Sequence, residues 1–135
     1  MLVVIFSFVI ACSYSKTNEK ERLLEVVNEY WNAVVKADWD TAYEYEYPLL
    51  KKLVSRETYV FRRGNPMAHI VGYEIGDVFF KKPDEAIVNL KLRVKLVVPG
   101  NSKPAEIILS VKDRWYKIKN KWYHVPRKVP KGGRG

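Results

Sequence analysis

The chain has 135 residues, with 24 Lys and Arg against 15 Asp and Glu, a formal net charge of +9. At 47% hydrophobic and 29% charged it is neither a disordered acidic tail nor a polytopic membrane protein, and its length suits one domain with its own core. A single cysteine excludes a disulfide framework and a multi-cysteine zinc site.

Met1–Cys12 reads MLVVIFSFVIAC and carries no charge. It is shorter than the roughly 20 apolar residues of a spanning helix but has the length of a secretory apolar segment. Its end, Val9-Ile10-Ala11-Cys12, resembles the bacterial lipobox, in which a small residue precedes a cysteine that receives a diacylglycerol. The resemblance implies a signal peptide over residues 1–11, lipidation at Cys12 and a polar tether over residues 12–18. A plain secretory signal or short anchor, and a core segment burying the thiol, are the competing readings, and no basic residue precedes the apolar run.

Asn18 with Glu21 three residues on has the spacing of a capping box and predicts a helix start. Leu23, Val27, Tyr30 and Val34 recur at spacings of four, three and four, one apolar stripe at the helical period. This first helix should end near Ala37, where Asp38 or Asp40 is placed to cap a second helix through Tyr45. Pro48 breaks that segment. Ser55 then opens a third helix, which ends before Gly64-Asn65-Pro66.

From Ala68 the period becomes two. Val88, Leu90, Leu92, Val94, Leu96 and Val98 share one face of a long strand, and Asn89, Lys91, Arg93 and Lys95 share the other. Ile107, Leu109 and Val111 repeat the alternation in a strand that continues through Trp115. A tight hairpin at Lys119-Asn120-Lys121 leads into Trp122-Tyr123-His124-Val125, and residues 127–135 form a basic tail expected to be flexible. Helices followed by an antiparallel meander predict an α+β fold, with three helices packed on a curved sheet of about four strands in a single domain over residues 19–126.

This order, together with Ala37-Asp38-Trp39-Asp40-Thr41-Ala42, Ser55-Arg56-Glu57-Thr58-Tyr59-Val60 and the hairpin DRWYKIKNKWYHVP, resembles the nuclear transport factor two-like superfamily. The resemblance implies a cone whose cavity would be lined here by Tyr30, Trp31, Trp39, Tyr59, Trp115 and Trp122. It also implies that acid–base side chains, where the fold is an enzyme, sit in that cavity. Tyr30, Tyr43, Tyr59, His69, Asp77, Asp113 and His124 are the candidates. An Asp base with a Tyr donor suits proton abstraction beside a carbonyl, and Asp113 with His124 on neighbouring strands suits a base with its orienting carboxylate. The superfamily includes isomerases, dehydratases and secretion-system subunits, so the fold leaves the activity open.

Two histidines far apart in sequence make no metal-ligand pattern, and no phosphate loop or nucleophile elbow occurs, so neither metal nor cofactor is expected. The basic excess falls in residues 48–135, with twenty Lys and Arg against seven Asp and Glu. On an exported chain Lys91, Arg93 and Lys95 read first as a solvated face and second as contacts to an anionic envelope surface, rather than as a nucleic-acid footprint. The leading expectation is a membrane-anchored envelope lipoprotein whose domain binds a protein or small apolar ligand without catalysis. A cofactor-independent isomerase or dehydratase and a subunit of an envelope assembly are the rivals, with homodimerisation left open.

Overall fold

The computed structural model describes residues 8–64, 67–100 and 103–127, with side chains described from Asn18 onward. Residues 1–7, the side chain of Cys12 and residues 128–135 therefore lie outside the described residues, and with them much of the expected signal peptide and basic tail. Four helices precede a four-stranded antiparallel sheet: α1 (Phe8–Val35), α2 (Trp39–Glu44), α3 (Pro48–Leu53), α4 (Arg56–Arg63), β1 (Ala68–Lys82), β2 (Glu85–Leu96), β3 (Ala105–Ile118) and β4 (Lys121–Val125). The strands run as a meander in the order β1-β2-β3-β4.

The long helix buries the expected stripe, with Leu23, Val27, Tyr30, Trp31 and Val34 facing the sheet. It does not begin at the expected capping box. The helical backbone continues from Phe8 through Asn18, because residues 12–18 contain neither Gly nor Pro and extending a helix costs far less than nucleating one. Glu19 is used in tertiary pairing instead: it accepts from Trp122 Nε1 at 3.3 Å and pairs with Lys117 at 3.1 Å. The helix closes with Ala37 at φ 55°, Ala37 N–H bonding Val34 and Asp38 N–H bonding Ala33. That is a Schellman close in which alanine holds the left-handed position normally given to glycine.

Asp38 caps α2 through the Thr41 amide, and Ser55 caps α4 through the Thr58 amide, as their spacing predicts. Pro48 does more than break the chain. It occupies the first turn of an additional short helix, where its fixed φ suits the turn and its missing N–H costs nothing, so the count is four rather than three.

In the sheet, β1 and β2 pair with three register shifts, whereas β2 and β3 pair without interruption from Glu85↔Tyr116 to Leu96↔Ala105. Such irregularities raise local twist and bend the sheet around the helices. Val88, Leu90, Leu92 and Val94 are buried, and Asn89, Lys91, Arg93 and Lys95 are exposed, matching the alternation. The buried face ends near Leu96, and Val98 is exposed. In β3 the inner face is covered only in part. Ile107 and Leu109 sit opposite the buried Val94 and Leu92 yet remain exposed, on the side of β3 away from β2. The hairpin turn is Lys119-Asn120, both at positive φ (48° and 64°), the two-residue geometry that matches strand twist.

Candidate functional site

The inner face of the alternation brings Asp113, Trp115, Trp122 and His124 under α1. Trp115 pairs with His124 across β3 and β4, which sets His124 beside Asp113 on the same face. His124 Nε2 meets Asp113 Oδ1 at 2.8 Å, so the two strand residues singled out from sequence do touch. Asp113 Oδ2 also accepts from two indoles, Trp31 Nε1 at 2.9 Å and Trp115 Nε1 at 2.8 Å.

The other imidazole nitrogen leads to a residue that sequence reasoning passed over. His124 Nδ1 lies 3.0 Å from Glu46 Oε2, and Glu46 is completely buried. The backbone holds it there: His124 N–H bonds the Tyr45 carbonyl at 2.7 Å and Tyr47 N–H bonds the His124 carbonyl at 2.9 Å. Glu46 Oε1 accepts from the hydroxyls of Tyr30 at 2.9 Å and Tyr59 at 2.8 Å, and the Arg63 guanidinium approaches it at 3.8 Å. Tyr30 stacks on the imidazole, ring centroids 4.3 Å apart.

With a carboxylate on each ring nitrogen, His124 carries both protons. Burial alone would push its pKa down, but the charge and hydrogen bond of Asp113, joined by those of Glu46, lift it to about 9. Burial would raise Glu46, yet the bond and charge of His124, with Arg63 and Tyr59, hold it below the ordinary carboxylate value. Tyr30 and Tyr59 are both pushed up, first by burial and then by the negative charge of Glu46. The imidazolium offsets one of the two carboxylates and Arg63 faces the other, so the cluster is close to neutral. No buried side-chain nitrogen or oxygen lacks a partner among the described residues.

Five of the six residues expected to line a cavity (Tyr30, Trp31, Tyr59, Trp115 and Trp122) are instead buried and packed together, with Trp39 half-buried at the margin. Their rings fill the space around His124. Of the remaining candidates, Tyr43 donates to the Val54 carbonyl at 2.8 Å and secures the turn after α3. His69 is exposed on β1 opposite Lys95, and Asp77 is exposed on the outer face of the sheet, away from His124. Neither joins the cluster, because β1 presents them on the side facing solvent. Among the described residues no group of three or more His, Cys, Asp or Glu is arranged to hold a metal ion, and both nitrogens of His124 are already engaged.

Two surface grooves stand apart from the buried cluster. One, of about 440 Å³, crosses the outer sheet face beside Glu74, Asp77, Asn89, Lys91, Ser110 and Lys112. Another, of about 620 Å³, lies between α1, Lys51 and the β3–β4 hairpin, with charges of both signs. On the outer face Arg93 is tied to Glu106 at 3.3 Å and Arg114 to Glu85 at 3.5 Å. Lys91, Lys95 and Lys112 make no such ion pair among the described residues. Lys112 escaped the sequence reading; the register sets it across from Asn89, diagonal to Lys91.

Among the described residues no helix is long and apolar enough to cross a membrane. The fold and the internal cluster define an α+β domain with a four-stranded antiparallel meander. No protein-family model and no curated protein matches the chain. Among solved structures it is similar to the solution structure of a SEC-C motif-containing protein from Rhodopseudomonas palustris, with a TM-score of 0.54, 14% identity, and coverage of 71% of this chain and 69% of that one. At that identity the likeness is one of fold.

Proposed function

We propose that this protein is an exported envelope lipoprotein, anchored through Cys12, whose folded domain is a non-catalytic binding module of nuclear transport factor two-like shape. The observation that carries the non-catalytic reading is the saturation of the buried cluster. A general base needs a free lone pair within reach of substrate. His124 has both nitrogens bonded to carboxylates, and it lies beneath Tyr30 and Trp115. An isomerase or dehydratase using Asp113 would first have to break two indole hydrogen bonds in a sealed core.

What remains for binding is surface. The lysines on the outer sheet face support an anionic partner, an acidic lipid headgroup layer being the surface nearest a lipid at Cys12. Each lysine held near such a layer adds on the order of 1 kcal/mol, so three lysines amount to roughly two orders of magnitude in affinity.

Two measurements test this. Mass spectrometry of the mature N-terminus should find a lipidated cysteine; an unprocessed Met1 with a free thiol refutes the anchor. The Cys12→Ser chain should then sediment with phosphatidylglycerol vesicles but not with phosphatidylcholine vesicles at low salt. Substituting Lys91, Lys95 and Lys112 by Glu should abolish that sedimentation. Equal binding to both vesicle types, or no effect of the three substitutions, refutes the basic-face reading.

A further inference from the structure

Strand β3 is covered unevenly along its length. Its lower part, Arg114–Ile118, pairs with β4, while Ala105–Asp113 has β2 on one side and nothing described on the other. This free edge is exposed on both faces from Ala105 to Ser110. Ile108 is 70% exposed on the outer face, and Ile107 and Leu109 are 38% and 45% exposed on the inner face. Soluble proteins usually blunt such an edge with lysine, proline or a bulge. Here the pairing with β2 has no bulge, Ala105–Asp113 contains no proline, and its one lysine, Lys112, stands near the end of the edge rather than at its centre.

We propose that a second copy of this chain docks along this edge, β3 against β3 in antiparallel register centred on Leu109. Three observations converge on that register. The free edge is bounded by Pro104, which has no N–H to donate, and by Arg114, where β4 begins; its midpoint is Leu109. Keeping the helices of both copies on one side of the joined sheet requires the two-fold axis to pass through a residue rather than between two, because side chains alternate faces. Centring on Leu109 then sets Ile107 opposite Val111 of the second copy, Ile108 opposite Ser110, and Leu109 opposite itself. It also sets Glu106, whose carboxylate lies 3.3 Å from Arg93 of its own chain, opposite Lys112 on the outer face, twice in the dimer, so opposite charges face each other near the ends.

The chain's own N-terminal segment is poorly placed to fill this edge. Glu19 of α1 packs against Lys117 and Trp122, at the hairpin end of the sheet, about 25 Å along β3 from Leu109. The C-terminal residues would have to continue past β4 through Pro126 and Pro130, which cannot donate to a ladder.

The register is tested by cysteine cross-linking of the full chain carrying Cys12→Ser. Leu109→Cys meets its own copy and should give a covalent dimer under mild oxidation. Ile107→Cys alone should give none, since its mate lies four residues away, but mixing it with Val111→Cys should restore cross-linking. Lys112→Glu in the Leu109→Cys chain should lower the cross-linked fraction several-fold, and adding Glu106→Lys should recover it. No dimer from any variant overturns the proposal and leaves the edge open or occupied by residues 128–135. Equal dimer from Leu109→Cys and Ile107→Cys alone reports random collision and also overturns it.

Discussion

The raised pKa of His124 makes the stability of this domain pH-dependent in a window where few other groups titrate. Its imidazolium is favoured in the folded state, moving from an ordinary value of 6.5 to about 9. At about 1.4 kcal/mol per unit this is roughly 3 kcal/mol, complete below pH 6.5 and lost as pH rises through 9. Asp113→Asn isolates the effect. Both indoles donate to Oδ2, so the amide oxygen must take that place and the amide nitrogen must face His124 Nε2. The imidazole is then forced neutral, with its one proton on Nδ1 toward Glu46. Every hydrogen bond survives while the ion pair is lost. Urea unfolding followed by tryptophan fluorescence, from pH 6 to 9.5, reads the result directly, since Trp31 and Trp115 border the cluster. Staying below pH 10 keeps the tyrosines out of the curve. The native chain should lose roughly 3 kcal/mol across that range. Asp113→Asn should start lower by about 1–3 kcal/mol and remain nearly flat. A native curve that is level from pH 6.5 to 9.5, or a variant curve parallel to it, would refute the doubly protonated His124.

The acid side belongs to Glu46. Its folded value lies below the ordinary 4.5, so its stabilisation is present above that pH and disappears as pH falls through the lowered value. Glu46→Gln should therefore cost about 1–3 kcal/mol near neutrality and flatten the urea series between pH 5 and 3. At the hairpin, Lys119 and Asn120 both occupy positive φ. The pair Lys119→Asn with Asn120→Gly supplies the residues that this turn favours and should raise stability by about 1 kcal/mol, a few degrees in a thermal melt.

Much of this arrangement was legible because period and spacing report backbone geometry directly. The caps at Asp38 and Ser55, the long alternation of β2 and the juxtaposition of Asp113 with His124 all follow from side chains recurring every two residues or from a short polar residue at a helix start. Glu46 was not legible in the same way. It follows Ala42 by four residues and so stands on the buried stripe, but an acid between two tyrosines before a proline reads locally as a solvated turn. Only the bridge to His124, 78 residues later, takes it inside. The additional helix at Pro48 was missed for a related reason: proline ends one helix and begins the next with equal local ease.

The buried cluster also ties the helices to the sheet. It joins α1 through Tyr30 and Trp31, the chain before α3 through Glu46, α4 through Tyr59 and Arg63, and the sheet through Asp113, Trp115 and His124. An apolar interface between helices and sheet tolerates sliding at modest cost, whereas displacing these groups leaves buried charges unpaired. The helices are therefore fixed in one placement on the sheet. Ile107 and Leu109 on the edge side of β3 stay exposed, although their strand partners Val94 and Leu92 are buried. The buried groups with acid–base chemistry are thus bonded to one another, tying helices to sheet.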